Sequence, residues 1–153
     1  MEMVIFIGAP AAGKSSFYRV RFFDTHVRIN LDMLRTRHRE RILIQACLQA
    51  RQPVVIDNTN PTQERRKQYV SLAKQHGFTV VGYYFQSVAV DCLARNRSRD
   101  RGPLPSVPDV AIRGTIARLE RPSFGEGFDT LNFVRIVKGE NDAYAVEEWN
   151  DEV

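Results

Sequence analysis

The segment GAPAAGKS, which runs from Gly8 to Ser15, constrains the fold of this chain more than any other feature. It matches the pattern G-x-x-x-x-G-K-[ST] in full, and the apolar run MVIFI (3–7) comes directly before it. Such a run is typical of a strand buried on both faces, and a helix is predicted over Lys14–Arg21. Small residues in the turn let backbone N–H groups converge on phosphate oxygens at the positive end of that helix. This strand–loop–helix unit predicts a phosphate-binding P-loop.

The residues of this loop have separate predicted roles. Lys14 is expected to reach the β- and γ-phosphates of a nucleotide, and the Ser15 hydroxyl to ligate Mg²⁺. A P-loop alone does not separate kinases from GTPases and motor ATPases, but the chain has no N-K-x-D and no S-G-G-Q motif. A length of 153 residues suits a compact phosphotransferase better than a motor. The predicted nucleotide-binding residues of the loop are Gly8, Ala9, Ala11, Ala12, Gly13, Lys14, Ser15 and Ser16.

Apolar runs alternate with helical patterns along the rest of the chain. Further strands are predicted at 26–30, 53–57, 78–85 and 131–137, and helices at 31–51, 61–76, 88–97 and 110–119. This alternation predicts one α/β domain over residues 1–153, with a five-stranded parallel sheet sandwiched between helices. The acidic C-terminal tail, about 140–153, is expected either to form a short packed segment or to fray.

Composition excludes several classes of protein and suggests an anionic partner. With 43% hydrophobic and 26% charged residues the chain is typical of a globular protein, and no apolar run is long enough to span a membrane. No signal peptide is evident, and Cys47 and Cys92 have no metal-ligand spacing, so a cytoplasmic location with reduced thiols is expected. Positive charge is concentrated in three clusters, RTRHRER (35–41), ERRKQ (64–68) and RNRSRDR (95–101), and this distribution favours an anionic partner.

Two acidic residues follow predicted strands, at the edge of the sheet where ligands bind. Asp57 ends VVID and is predicted to hold Mg²⁺ as a Walker-B-like group, the alternative being an Asx-turn. Asp32 lies in RINLDMLR (28–35), where Asn30 is suited to cap a helix. The pattern around Asp32 leaves open whether this residue marks a helix start or acts as a catalytic base.

The segment RNRSRDRGPLP (95–105) has four arginines at alternate positions, followed by a glycine and two prolines. It is expected to form a lid, about 95–108, that brings arginines to a transferring phosphoryl group. The alternative is an exposed linker.

GAPAAGKSS, INLDMLR, VVIDNTNPTQERRKQY and RNRSRDRG…VPDVAIRGTIARLERPSFGEGFD together resemble the kinase domain of the polynucleotide 5′-hydroxyl kinases, over about residues 3–137. That resemblance implies transfer of the γ-phosphate of ATP to 5′-OH ends of DNA or RNA, with Asp32 as general base. It implies that Arg35 and Asn58 bind the acceptor strand and that Arg101 is the lid arginine. Because the lid carries extra arginines, Arg97 or Arg99 could take that role instead.

Two other functions are compatible with the same motifs. One is a small-molecule P-loop kinase, of the zeta-toxin-like or antibiotic phosphotransferase type, and the other is a nucleotide-binding ATPase or regulator without a phosphoryl acceptor. The chain contains no second catalytic segment, so any phosphatase or ligase partner is expected to be a separate protein. Arg65 and Arg66 are equally compatible with a substrate channel and with solvent.

Overall fold

A computed structural model describes residues 1–137 and 143–150 and contains a six-stranded sheet in the order β2-β3-β1-β4-β5-β6. Five neighbouring strands are parallel, and β6 is antiparallel to β5. The strands are β1 Glu2–Ile7, β2 Val27–Ile29, β3 Val54–Ile56, β4 Thr79–Phe85, β5 Thr130–Val137 and β6 Ala143–Glu148. The helices are α1 Lys14–Arg21, α2 Leu31–Leu34, α3 Arg37–Gln49, α4 Gln63–Gln75, α5 Ala89–Ser98 and α6 Asp109–Arg118, with a 3₁₀ turn at Phe124–Glu126. None of the described helices is long and apolar enough to cross a membrane.

The central strand β1 is apolar throughout because helices cover both of its faces. Odd-numbered residues such as Ile5 pack with residues of α3 and α4, while even-numbered residues such as Phe6 pack with residues of α1, α5 and α6. Since consecutive side chains of a strand point to opposite faces, a strand buried on both sides needs apolar residues at every position. The parallel sheet and its two helical layers confirm the predicted fold class.

The C-terminal end of the chain is the largest addition to the predicted sheet. Residues 143–148 form β6, which extends the sheet beyond the five predicted strands. Of the two alternatives for the acidic tail, residues 143–150 therefore follow the packed one. Residues 140–142 and 151–153 of the predicted tail lie outside the described residues.

The prediction of one helix over 31–51 is wrong, because the chain turns sharply after Leu34. Arg35 has a φ of 76°, which interrupts the helix, and Thr36 then caps α3 by accepting a hydrogen bond from the Arg39 amide at 3.1 Å. The apolar spacing of the two helices runs in phase across this break, and the N-cap preference of Thr36 was the signal against a continuous helix. As a result α2 is a separate four-residue turn at the rim of the sheet.

Candidate active site

The P-loop joins the central strand β1 to α1, and its glycines allow close backbone packing. A Cβ atom added to Gly8 would lie 2.9 Å from Phe85 Cβ, and one added to Gly13 would lie 2.9 Å from Ile136 Cδ1. Gly13 also has a φ of 96°, a conformation that residues with a side chain rarely adopt. Ser87, which follows β4, supports the loop by accepting a hydrogen bond from the Ala9 amide at 2.9 Å. The predicted strand–loop–helix unit is therefore present in the fold.

Lys14 is buried inside this loop. Its ammonium group donates hydrogen bonds to the carbonyl oxygens of Gly8 at 3.0 Å and Ala9 at 2.6 Å. Burial lowers the pKa of Lys14 from 10.5 to about 8, and the nearby Asp57 carboxylate opposes this effect. The ammonium group thus lies where it can move from two carbonyl oxygens to the phosphates of a nucleotide.

Ser15, Asp57 and Arg28 form a compact polar cluster beside Lys14. Asp57 Oδ2 accepts hydrogen bonds from Ser15 Oγ at 3.0 Å and from Arg28 Nε at 2.8 Å, and Arg28 Nη2 donates to Ser15 Oγ at 2.9 Å. Asp57 Oδ1 is buried and has no hydrogen-bond partner within the part of the chain that is described. An unpartnered carboxylate oxygen beside a hydroxyl suits Mg²⁺, which prefers oxygen ligands and keeps several waters. Ser15 and Asp57 therefore fit the predicted metal site.

Arg28 is the residue of this cluster for which the sequence predicts no role. It lies on β2, next to β3, whose carboxyl end leads into Asp57. It opens the segment RINLDMLR, but as one residue of a three-residue strand it matches no motif position there. Only its alternation with the apolar Val27 and Ile29 indicates that its side chain occupies the sheet face towards α1.

Asp32 lies in the first turn of α2, and Asn30 connects this turn to Asp57, which directly follows β3. The Asn30 side chain caps α2 by accepting from the Met33 amide at 3.0 Å and donates to the carbonyl oxygen of Asp57 at 2.6 Å. The Asp32 side chain is 64% exposed, and its Oδ2 lies 3.0 Å from Arg101 Nη2. The fold therefore brings the predicted base and the predicted lid arginine into direct contact, although they are far apart in the sequence.

Asn58 takes part in a buried network that also positions α2. Its Oδ1 accepts from the Leu31 amide at 2.9 Å, and its Nδ2 donates to Glu40 Oε2 at 3.1 Å. Glu40 Oε1 accepts from the Tyr69 hydroxyl at 2.9 Å and from Arg37 at 3.1 Å. Burial, together with the negative charge of Glu40, raises the pKa of Tyr69 to about 12. In this arrangement the Asn58 carboxamide holds the start of α2, and its predicted contact with an acceptor strand stays a prediction.

The arginines of the predicted lid differ in what they contact. Arg101 pairs with Asp32, whereas Arg97 pairs with Asp109 at 3.3 Å on the surface. Arg99 donates to Asn96 at 3.2 Å, and burial and then Arg101 lower its pKa. Arg95, which was not assigned a role, donates from Nε to the P-loop carbonyl oxygen of Ala11 at 2.8 Å. Arg101 is thus the lid arginine that contacts a predicted catalytic residue, and Arg95 contacts the loop itself.

Three other basic or polar candidates lie away from these contacts. Ser16 is exposed in the first turn of α1, and Arg35 is exposed at the end of α2. Arg66, in contrast, is fully buried, so neither interpretation given for it is correct. It forms two hydrogen bonds to the Glu126 carboxylate, at 2.8 and 3.1 Å, and one to the carbonyl oxygen of Asn60 at 2.9 Å. Arg66 therefore stabilises the loop that follows β3.

Comparison with known families gives an independent result. The sequence profile of a family described as an AAA domain matches residues 3–122, most of the chain. The chain belongs to this family. One curated relative, the bifunctional polynucleotide phosphatase/kinase of Schizosaccharomyces pombe, is 30% identical to this chain over 140 residues. A second relative, named as a putative bifunctional polynucleotide phosphatase/kinase, comes from Acanthamoeba polyphaga mimivirus and is 31% identical over 139 residues. Each match covers 87% of this chain and 33% of the relative, so the chain spans about a third of the length of these relatives.

Solved structures share the fold at lower identity. A chain in the structure of the Pnkp1/Rnl/Hen1 RNA repair complex has a TM-score of 0.62 and 24% identity, over 77% of this chain and 43% of that chain. A gluconokinase from Sinorhizobium meliloti 1021 has a TM-score of 0.61 and 17% identity, over 90% of this chain and 84% of that chain. The predicted resemblance to polynucleotide kinases and the predicted class, a P-loop phosphotransferase domain, are confirmed by the family and by the curated relatives.

Proposed function

We propose that this domain is an ATP-dependent polynucleotide 5′-hydroxyl kinase. The observation that carries the proposal is the position of the Asp32 carboxylate. It is exposed, it lies at the carboxyl edge of the sheet next to the cluster of Lys14, Ser15 and Asp57, and it contacts Arg101. A base there, beside a phosphate-binding loop, suits a reaction in which a hydroxyl attacks a terminal phosphate. The names of the two curated relatives support a nucleic acid end as the acceptor.

In the proposed reaction the 5′-oxygen of the acceptor attacks the γ-phosphorus of ATP in line. The new oxygen–phosphorus bond forms as the bond to the bridging oxygen of ADP breaks, and the proton of the 5′-hydroxyl passes to the Asp32 carboxylate. Lys14 and Arg101 stabilise the negative charge that develops on the phosphoryl oxygens. Mg²⁺, held by Ser15 and Asp57, would supply further charge neutralisation. In this structure Arg101 donates a hydrogen bond to Asp32. When the reactants bind, movement of the Arg101 guanidinium to the phosphates would leave the Asp32 carboxylate available as the base.

Arg35, Asn58 and Arg97 keep their predicted roles as part of this proposal. Arg35 is exposed one turn beyond Asp32 and is free to reach an acceptor phosphate. Any phosphatase or ligase that acts on the same nucleic acid end would be supplied by other polypeptide segments or proteins.

The test is transfer of radiolabel from γ-labelled ATP in the presence of Mg²⁺. A panel of 5′-OH DNA and RNA oligonucleotides, nucleosides and sugars separates the alternatives. We expect label on the oligonucleotide ends. Label on a nucleoside or sugar alone would support a small-molecule kinase, and free phosphate as the sole product would support an ATPase without an acceptor. Either outcome would contradict the proposal.

The role of Asp32 makes a separate prediction. Asp32→Ala is expected to lower kcat for oligonucleotide transfer by about a hundred- to ten-thousandfold, the usual contribution of a general base. ATP affinity should change little, because the P-loop contacts are unaffected. Asp24→Ala, which removes an exposed carboxylate just after α1, is the matched control. Near-native transfer by the Asp32 variant would exclude this residue as the base.

A further inference from the structure

A cleft of about 340 Å³ lies beside the candidate active site, and apart from Asn58 its lining residues have no role in the mechanism above. It is bounded by the first residue of α2, the loop after β3 and the ends of α3, α4 and α6 that face this loop. The residues that line the cleft include Leu31, Arg37, Asn58, Pro61, Arg65 and Arg118. Leu31 directly precedes Asp32, and Asn58 directly follows Asp57. The cleft therefore adjoins the segments that carry Asp32 and Asp57.

The charge of this cleft is positive. Arg37 is bonded to Glu40 and to Tyr69, whereas Arg65 and Arg118 form no side-chain hydrogen bond or ion pair with any residue that the structure describes. Both of these arginines are exposed, and none of the described residues that line the cleft is acidic. Glu120, just beyond α6, accepts from the Gln63 amide at 2.9 Å and so contributes to capping α4. Within the part of the chain that is described, two guanidinium groups without a bonded partner thus line a cavity that has no acidic side chain.

Guanidinium groups bind phosphate oxygens with two parallel hydrogen bonds, and a cavity lined by arginine, threonine and asparagine is suited to a phosphodiester. The backbone segments on this side of the cleft are joined directly. The carbonyl oxygen of Pro61 accepts from the Glu120 amide at 2.7 Å, which joins the end of α6 to the loop after β3. The helix ends that carry Arg118 and Arg65 therefore lie at the same cleft even though they come from distant parts of the sequence.

We infer that this cleft binds a backbone phosphate of the acceptor strand, further from the 5′ end than the phosphate assigned to Arg35. Arg65 and Arg118 are the residues that contact it. The inference rests on the proposed function and deepens it, because it makes a polynucleotide a better acceptor than a mononucleotide. A longer strand gains the contacts of the cleft, which a nucleoside 3′-monophosphate is too short to reach.

The experiment compares two acceptors, a nucleoside 3′-monophosphate and a 5′-OH octanucleotide, with the Arg65→Ala/Arg118→Ala double variant. The variant is expected to raise KM for the octanucleotide about tenfold and to change KM for the mononucleotide less than twofold, with kcat unchanged for both. Loss of two phosphate contacts should also reduce the slope of log KM for the octanucleotide against log salt by about one to one and a half. Arg113→Ala, an exposed arginine on α6 that does not line the cleft, is the control and should leave both KM values unchanged.

Binding of a 3′-fluorescein octanucleotide, followed by anisotropy, provides a readout independent of catalysis. The double variant should bind this octamer about tenfold more weakly than the wild-type chain, and Arg65→Lys/Arg118→Lys should recover part of the loss and most of the salt slope. If the wild-type chain binds the octamer about tenfold more tightly than the double variant does but transfers no label, the proposed function fails and the cleft assignment stands. Equal loss with both acceptors, or unchanged octamer binding, would overturn the inference.

Discussion

The guanidinium of Arg28 bridges the two side chains that the proposed reaction needs for a metal ion. It donates to Asp57 Oδ2 and to Ser15 Oγ, and its own side chain is only 27% exposed. An arginine in this position neutralises a buried carboxylate that would otherwise be costly to keep charged. It also occupies two of the oxygen atoms that a cation would use, Asp57 Oδ2 and Ser15 Oγ, and leaves Asp57 Oδ1 without a partner among the described residues. At the scale of the single residue, Arg28 and Mg²⁺ therefore compete for the same ligands.

Replacing Arg28 is expected to strengthen metal binding. Arg28→Gln removes the positive charge next to Asp57 while keeping a side chain of intermediate length, so Mn²⁺, used as a probe for Mg²⁺, should bind about three- to tenfold more tightly. The measurement is a titration of the nucleotide-free domain with Mn²⁺, followed by electron paramagnetic resonance. Arg19→Ala removes an exposed arginine from α1 and controls for the change in net charge. Unchanged or weaker Mn²⁺ binding by the Arg28 variant would show that the arginine does not compete with the metal.

At the scale of secondary-structure elements, the loop after β3 is fixed by α4. Arg66 is fully buried, and it connects this helix both to Asn60 in the loop and to Glu126 in the 3₁₀ turn before β5. Asn60 has a φ of 46°, and its side chain donates to the carbonyl oxygen of Phe6 at 2.7 Å in the strand that leads into the P-loop. One helix therefore holds the segment between the metal site and the cleft against the centre of the sheet.

The Arg66–Glu126 pair predicts a large and specific loss of stability. Glu126→Ala leaves a buried guanidinium without its carboxylate and should lower the free energy of unfolding by about 3–5 kcal/mol. Urea unfolding measures this change. Lys74→Ala is the matched control, since it breaks an exposed ion pair with Asp129 that joins α4 to the segment before β5, and it should cost about 1 kcal/mol or less.

The Arg66→Met/Glu126→Gln double variant should be more stable than the sum of the two single changes implies, because no unpaired charge is left buried. A Glu126→Ala variant no less stable than Lys74→Ala would show that the buried pair does not hold this region together.

Five of the six described strands and most helices were predictable from the sequence, whereas the break between α2 and α3, strand β6 and the contacts between distant segments were not. The apolar run before Gly8 and the acid after VVI at Asp57 identify strands through local pattern alone, and parallel topology then brings their ends to one edge. The pairing of Arg101 with Asp32 depends on how the chain from α5 to α6 packs, which no local pattern specifies. Arg66 shows the same limit, because a charge in ERRKQ is indistinguishable from its exposed neighbours until Glu126 is placed beside it.

At the scale of the whole molecule, β6 links the C-terminal end of the chain to the nucleotide-binding loop. Tyr144 on this strand donates a hydrogen bond to the carbonyl oxygen of Gly13 at 3.1 Å, and its ring lies 5.0 Å from that of Phe17 on α1. Ile136 on the neighbouring strand packs against the same glycine. The P-loop is thus held from β1 on one side and from the antiparallel edge of the sheet on the other.

This link predicts that a residue outside the P-loop controls nucleotide affinity. Tyr144→Ala removes the packing on Phe17 and the hydrogen bond to Gly13, so the loop loses part of its preorganised shape. We expect ADP to bind about three- to tenfold more weakly and the free energy of unfolding to fall by about 2 kcal/mol. Tyr144→Phe keeps the ring and should have less than half of either effect.

Glu147→Ala is the control for β6 itself, because Glu147 lies on the same strand and forms a surface ion pair with Arg135. Calorimetric titration with ADP, well below the unfolding temperature of every variant, separates affinity from stability. If Tyr144→Ala binds ADP as the wild-type chain does, β6 stabilises the sheet without acting on the P-loop.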